Sequence, residues 1–425
     1  MSGLCRLDYP IYACSVLDDN HIVVAGGGGA AKTGVPNAVD ILKIEKIGRV
    51  VQADPVERLE TGDTASMNIS VLNQGKDKDA MLAVGLGGKC SVYSVVKKSV
   101  AGGDNTPTNL KQRKSKKKSQ PVEPDENKQE HYTFNLLRTL ETDFSSDPLQ
   151  KAVRISKNGK LLVTGGSDGY VRCWSLPDFT KRFSTHGHKD DVTDVDISPD
   201  GLHVVSVARD GGASIWNSVN GNKEIDLHSA WNLKMVTRGY RFRCCRYASV
   251  IEDKTSYVLF TAHTPVRAGR GADKKIPQGC LTKWARKRAN GMENSKNSVL
   301  SPAIIQFTGK EAISSLAVSN DGVFLGLGFM EGSVAIYISF SLQCVKKISS
   351  LHGIFVTGVS FLPNTEAVVA ITGACDASLV SVSADNTCKL TKLSSRYLFP
   401  VWVAIFLSFI ALVLTGLFMR EYGII

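Results

Sequence analysis

Ten cysteines are spread along 425 residues, but no two form a C-x-x-C pair and no two histidines have metal-ligand spacing. That excludes zinc ribbons and redox dithiols. The start, MSGLCRLDYPIY, has neither the basic segment nor the apolar core of a secretory leader. The folded part is therefore expected in a reducing, cytosolic compartment, with cysteines such as Cys173 in YVRCWSL acting as small core residues. Helix-period patterning is nearly absent before residue 396. No paired-carboxylate or metal-ligand constellation stands out, so there is no candidate for the common hydrolytic chemistries.

One long apolar run is present. Residues 398–419, LFPVWVAIFLSFIALVLTGLFM, carry no charge, and as a helix they would extend about 33 Å, enough for a bilayer. Lys389, Lys392 and Arg396 precede the run and only REYGII follows. The positive-inside bias then keeps the large N-terminal part cytosolic. With so little chain after it, the span is expected to insert once synthesis is complete, leaving residues 420–425 as a short lumenal tail.

Before the span, short β-rich runs recur with polar turns between them. Residues 152–176, 192–218, 313–339 and, more loosely, 356–392 each read as strand, turn, strand, turn, strand, and Trp174, Trp216 and Tyr337 close three of them in equivalent places. Residues 11–44, 69–95 and 242–285 supply three further units. This pattern resembles the WD-repeat family, whose unit is one four-stranded propeller blade. The unit after GHKDD carries the family's structural tetrad at His188, Ser206, Asp210 and Trp216. The fold class is thus all-β: a seven-bladed WD-repeat-like β-propeller over residues 1–396, then one C-terminal transmembrane helix, 397–419. Because an open ring would leave strand edges unpaired, residues 1–9 are expected to add an outer strand to the last blade.

The formal net charge of +11 owes much to KQRKSKKK, residues 111–118, which has six cations and no anion. It lies in residues 97–131, a stretch without apolar periodicity that reads as a disordered insertion between two blades. A basic run of this kind serves nuclear localisation, DNA contact or attraction to an anionic membrane, or is simply a solvated loop. No recognition helix or zinc finger accompanies it, so nucleic acid is an unlikely partner.

Two motifs imitate enzymes. GGSDG, residues 165–169, fits the G-x-S-x-G elbow, but a strand, YVRCW, follows where the elbow needs a helix. IVVAGGGGAAKTGVPNAVD, residues 22–40, suggests a phosphate-binding loop. Ala31 stands where that loop needs glycine before Lys32 and Thr33, and the alternating run after Asn37 is a strand.

A glycine loop in the first blade of a cytosolic propeller with a C-terminal anchor resembles the prolactin regulatory element-binding protein family. This is the animal counterpart of the endoplasmic-reticulum exchange factor that activates the small GTPase of COPII coat assembly. The resemblance covers the whole chain. It implies a guanine nucleotide exchange factor with no covalent chemistry, held in the endoplasmic-reticulum membrane with its propeller in the cytosol. It also implies that the loop formed by Gly26, Gly27, Gly28, Gly29, Lys32, Thr33, Gly34 and Pro36 binds the GTPase, that Asn37 is the residue important for exchange, and that a potassium ion orders the loop between Gly26 and Asn37. The alternatives are a membrane-anchored scaffold and a DNA-binding regulator using residues 111–118.

Overall fold

The computed structural model describes residues 2–31, 34–75, 79–99, 130–230, 240–250, 257–266, 278–287, 299–395 and 401–421. Lys32, Thr33 and the basic run 111–118 lie outside the described residues. Among the described residues the strands form seven four-stranded antiparallel sheets, the blades of a propeller. In blade 1 the chain runs outward from the axis through Ile11–Val16, His21–Gly27, Asn37–Ile47 and Val50–Glu60. Blades 2 to 6 repeat that order. Alternating apolar residues on each strand fill the gaps between neighbouring blades, so that seven core clusters ring the axis.

Blade 7 closes the ring. Its three inner strands are Val356–Phe361, Cys375–Ser383 and Thr387–Ser394, and its outer strand is Ser2–Arg6 from the other end of the chain, with Ser2 opposite Leu390 and Arg6 opposite Thr387. Leu4 and Leu7 join Val380, Val382 and Leu390 in the core cluster between blades 7 and 1. Every strand of the ring therefore lies before residue 395.

Each innermost strand opens with a shift of register, a bulge that bends it at the rim of the central channel. Side chains at these bulges stitch one blade to the next. Thr193 Oγ1 donates to the Arg243 carbonyl at 3.4 Å, Ser314 Oγ to that of Val356 at 2.6 Å, and Thr357 Oγ1 to that of Ile11 at 2.7 Å.

Two details differ from the sequence reading. The third and fourth strands of blade 2, Lys89–Ser99 and Glu130–Glu141, pair as far as Ser99 with Glu130. The stretch read as an insertion between blades thus joins two strands within one blade, and its ends at 97–99 and 130–131 are strand. In blade 7 the run EAVVAIT forms a helix, Glu366–Thr372, capped by Thr365, whose Oγ1 accepts the Val368 N–H at 3.4 Å. The β-branched run is helical because it packs Val368 and Ile371 on the blade 7/1 core instead of entering the sheet.

Loops leave the disc on two faces. The turns between second and third strands share one face with the blade-to-blade links, as the Gly27 N–H bond to the Pro10 carbonyl at 3.0 Å shows. The turns between first and second strands share the other face with the third-to-fourth turns, as the Leu176 N–H bond to the Lys160 carbonyl at 2.9 Å shows. After Ser394 the chain departs on the second face, where Ser395 Oγ donates to Asp376 at 2.8 Å. The last described element is the helix Val401–Glu421. Phe406, Leu407, Phe409, Leu412 and Leu414 along it are all exposed. Among the described residues no helix is long and apolar enough to cross a membrane.

Candidate functional site

The glycine loop joins the second and third strands of blade 1 on the face opposite the chain's exit. It is followed by the strand Asn37–Ile47, so the phosphate-loop context is absent from the structure as well. Gly26 belongs to the strand, where any Cβ would fall 1.9 Å from the Pro10 carbonyl oxygen. At Gly27, with φ of +143°, a Cβ would fall 2.1 Å from Asn37 Oδ1. Gly28 leads into a short 3₁₀ turn, Gly29–Ala31. Gly29 and Gly34 take φ of +74° and +81°, where side-chain-bearing residues are strained. Pro36 fixes φ immediately before the third strand begins.

Asn37 is the clamp of this loop. Its Oδ1 accepts the Gly29 N–H at 2.8 Å, and its Nδ2 donates to the carbonyls of Gly29 at 3.1 Å and Gly62 at 2.8 Å. The side chain is 8% exposed. It is therefore turned into the base of the loop, while Gly34 is exposed. The three bonds tie both ends of the loop to the link between blades 1 and 2.

Beneath the loop lies a charged cluster with no motif to announce it. Asp40, fully buried, accepts from Tyr9 Oη at 3.0 Å and from Arg58 Nε and Nη2 at 2.8 and 2.9 Å. Arg58 also forks onto Asp8 at 3.0 and 2.9 Å. The hydrogen bonds from Arg58 hold the Asp8 carboxyl below its ordinary range. Burial, aided by the Asp40 charge, pushes the Tyr9 phenol far up.

The tetrad residues named from sequence meet in blade 4. Trp216 Nε1 donates to Ser206 Oγ at 2.8 Å, and Ser206 Oγ lies 2.7 Å from His188 Nε2. With Trp216 donating, Ser206 gives its own proton to Nε2, which leaves Nδ1–H facing Asp210 at 3.5 Å. Burial lowers the His188 pKa despite Asp210. Two related clusters escaped the sequence reading. In blade 7, His352 Nε2 meets Ser381 Oγ at 2.8 Å and Nδ1 lies 3.6 Å from Asp385. In blade 5, Trp284 Nε1 donates to Thr261 Oγ1 at 2.7 Å beside His263. The signal for blade 7 was Asp385 four residues after Ser381, the spacing of Ser206 and Asp210. The helix Glu366–Thr372 hid it by moving the histidine from 18 to 29 residues before the serine.

The remaining motifs are structural. Ser167 of GGSDG donates to Asp143 at 2.9 Å in a turn. Cys90, Cys173 and Cys280 are fully buried, and burial pushes each thiol up to about 12.

Residues 134–175 and 179–217 match the WD domain, G-beta repeat family. The first match begins on the outer strand of blade 2 and the second just before that of blade 3, and each ends on the third strand of the next blade. The guanine nucleotide-exchange factor SEC12 of Rattus norvegicus is 31% identical over 429 residues, covering 98% of this chain and 97% of its own. That of Mus musculus is 32% identical, covering 98% and 96%. The chain belongs to the SEC12 guanine nucleotide-exchange factor family. The SEC12 of Candida glabrata is 21% identical over 96% of this chain and 78% of its own. Among solved structures, Sqt1 from Chaetomium thermophilum superposes with a TM-score of 0.55 over 94% of this chain and 86% of that one, at 15% identity. That likeness concerns the fold alone.

Proposed function

We propose that this chain accelerates GDP release from a small GTPase, and that the blade 1 loop delivers the effect. The observation that carries the reading is similarity to two SEC12 exchange factors along nearly the whole chain. Exchange needs no covalent chemistry. An exchanger that binds the nucleotide-free GTPase more tightly than the nucleotide-bound form weakens nucleotide binding by the same factor. A thousandfold weakening corresponds to about 4 kcal/mol of differential binding.

The loop suits that task because Asn37 orders it before any partner arrives, so less conformational entropy is lost on docking. In this reading Asn37 is a positioning residue, and Lys32, Thr33, Gly34 and Pro36 belong to the stretch that meets the GTPase. A potassium ion between Gly26 and Asn37, which the resemblance implies, would add to the order that this amide supplies. Exchange is accordingly expected to run faster in potassium than in sodium buffer, and equal rates would argue against the ion.

The GTPase of COPII coat assembly, the endoplasmic-reticulum membrane and a bilayer span over residues 398–419 complete the proposal. Support for the span is the uncharged run of residues 398–419 in the sequence. The test is GDP release from the COPII GTPase with and without residues 1–395, which contain every strand of the ring. Acceleration is expected; an unchanged rate leaves the scaffold reading in its place.

A further inference from the structure

The longest hairpins of the propeller differ in where they stand relative to the chain's exit. In blade 1 the pairing of third and fourth strands continues past Lys43, the residue opposite the start of the second strand, to Ile47 opposite Val50. Four extra residues at about 3.3 Å each carry the tip about 13 Å further on the exit face. The shaft is held, since Ile44, Val51 and Ala53 are buried in the core cluster that includes Val368 of the blade 7 helix. The tip is not covered. Ile47 and Val50 are each 55% exposed, and Lys46 and Arg49 beside them are exposed too.

On the other side of blade 7, the third-to-fourth turn of blade 6 presents Phe340, 78% exposed, with the Lys283 ammonium 4.9 Å from its ring centre. Blade 7 between these tips is where the chain leaves, and only residues 396–400 separate Ser395 from the helix at Val401. Five residues span at most about 18 Å. Of the acidic groups between the tips, Asp376 accepts from Ser395, and Glu366 stands in the first turn of its helix, where the helix N-terminus favours its charge.

We propose that the two tips flanking the exit, residues 46–50 and Phe340, rest in the headgroup region of an anionic bilayer, with apolar side chains inserted and Lys46 and Arg49 on lipid phosphates. A short tether forces the exit side of the disc close to whatever surface the helix enters. Apolar residues interleaved with cations suit the interface of water and lipid. The inference rests on the membrane reading of residues 398–419 and is independent of the exchange activity. It places the glycine loop on the face turned toward the cytosol.

The test uses the full chain reconstituted into vesicles of phosphatidylcholine with phosphatidylserine, carrying Ile47→Trp or, on the loop face, Met330→Trp, a position 48% exposed. Lipids brominated near the headgroup should quench the added fluorescence at 47 and leave that at 330 unchanged. Equal quenching at both positions, or at neither, overturns the proposal. In a second arm, residues 1–395 are floated with the same vesicles. Lys46→Ala and Arg49→Ala should each weaken binding about fivefold, and Ile47→Asp with Phe340→Asp should abolish it, with GDP release in detergent-free solution unaffected. Binding that ignores all four changes, or is the same on pure phosphatidylcholine, counts against a lipid occupant. Loss of GDP release in the unmodified protein would instead count against the exchange reading alone.

Discussion

Blades 1 and 4 solve one structural problem in opposite ways. In blade 4, Ser206 faces Ser214 across the sheet and Trp216 follows two residues later; in blade 1 the same positions hold Val24 opposite Asp40, and then Leu42. Blade 4 fills the space between its link and its third strand with a neutral hydrogen-bonded chain, and the turn 209–212 stays short. Blade 1 places apolar Val24 at the serine position, substitutes a buried ion cluster of Asp40, Arg58 and Tyr9, and lets the turn expand into residues 28–36. In blade 1 the departure from the repeat accompanies a longer loop.

That contrast can be broken at several points. The largest effect on exchange is expected from Asn37→Ala, which removes all three clamp bonds. GDP release should slow tenfold or more, about 1.4 kcal/mol, while the far-UV spectrum and melting cooperativity are retained. A variant that exchanges normally would detach Asn37 from the mechanism.

Gly26→Ala should act on stability. Its methyl would overlap the Pro10 carbonyl, and a cost of about 3 kcal/mol in urea unfolding is expected. Ser206→Ala in blade 4 should cost about 2 kcal/mol by leaving His188 and Trp216 without their partner, with exchange unchanged. If it slowed exchange as much as Asn37→Ala does, the division of labour between the two blades would be wrong.

Acid probes the tetrads as a class. Burial holds His352 down to about 4 and His263 to about 3, whereas the unfolded chain takes up a proton near 6.5. Stability should be complete above pH 6.5 and fall as the pH drops toward 4, by about 1.4 kcal/mol per pH unit for each group. Thermal melts should show this, and His352→Gln should flatten the slope. The smallest effect is expected at Gly29→Ala, about 1 kcal/mol from its positive φ, since no neighbour lies within 4 Å of the added methyl.

Much of the architecture was legible in local pattern. Seven three-strand units follow from alternation and turn residues, which act over short stretches of chain; the outer strand expected from residues 1–9 follows from the need to pair strand edges, and the tetrad of blade 4 from the resemblance to WD repeats. The irregular blades were harder to read. EAVVAIT has strand-forming residues, but the core beside blade 1 gave it a better place as a helix. The outer strand Val299–Gly309 of blade 5 was not assigned from sequence, since outer strands are half-exposed and carry weak alternation.

The sequence by itself determined that this chain is built of repeated β-units with a glycine-rich departure in the first, because strand period and turn chemistry are written in neighbouring residues. Only the tertiary structure decided that Asn37 points inward, that Asp40 is held by Arg58 and Tyr9, and that loop and exit lie on opposite faces. Those facts depend on which distant backbones the closed ring brings within hydrogen-bond reach.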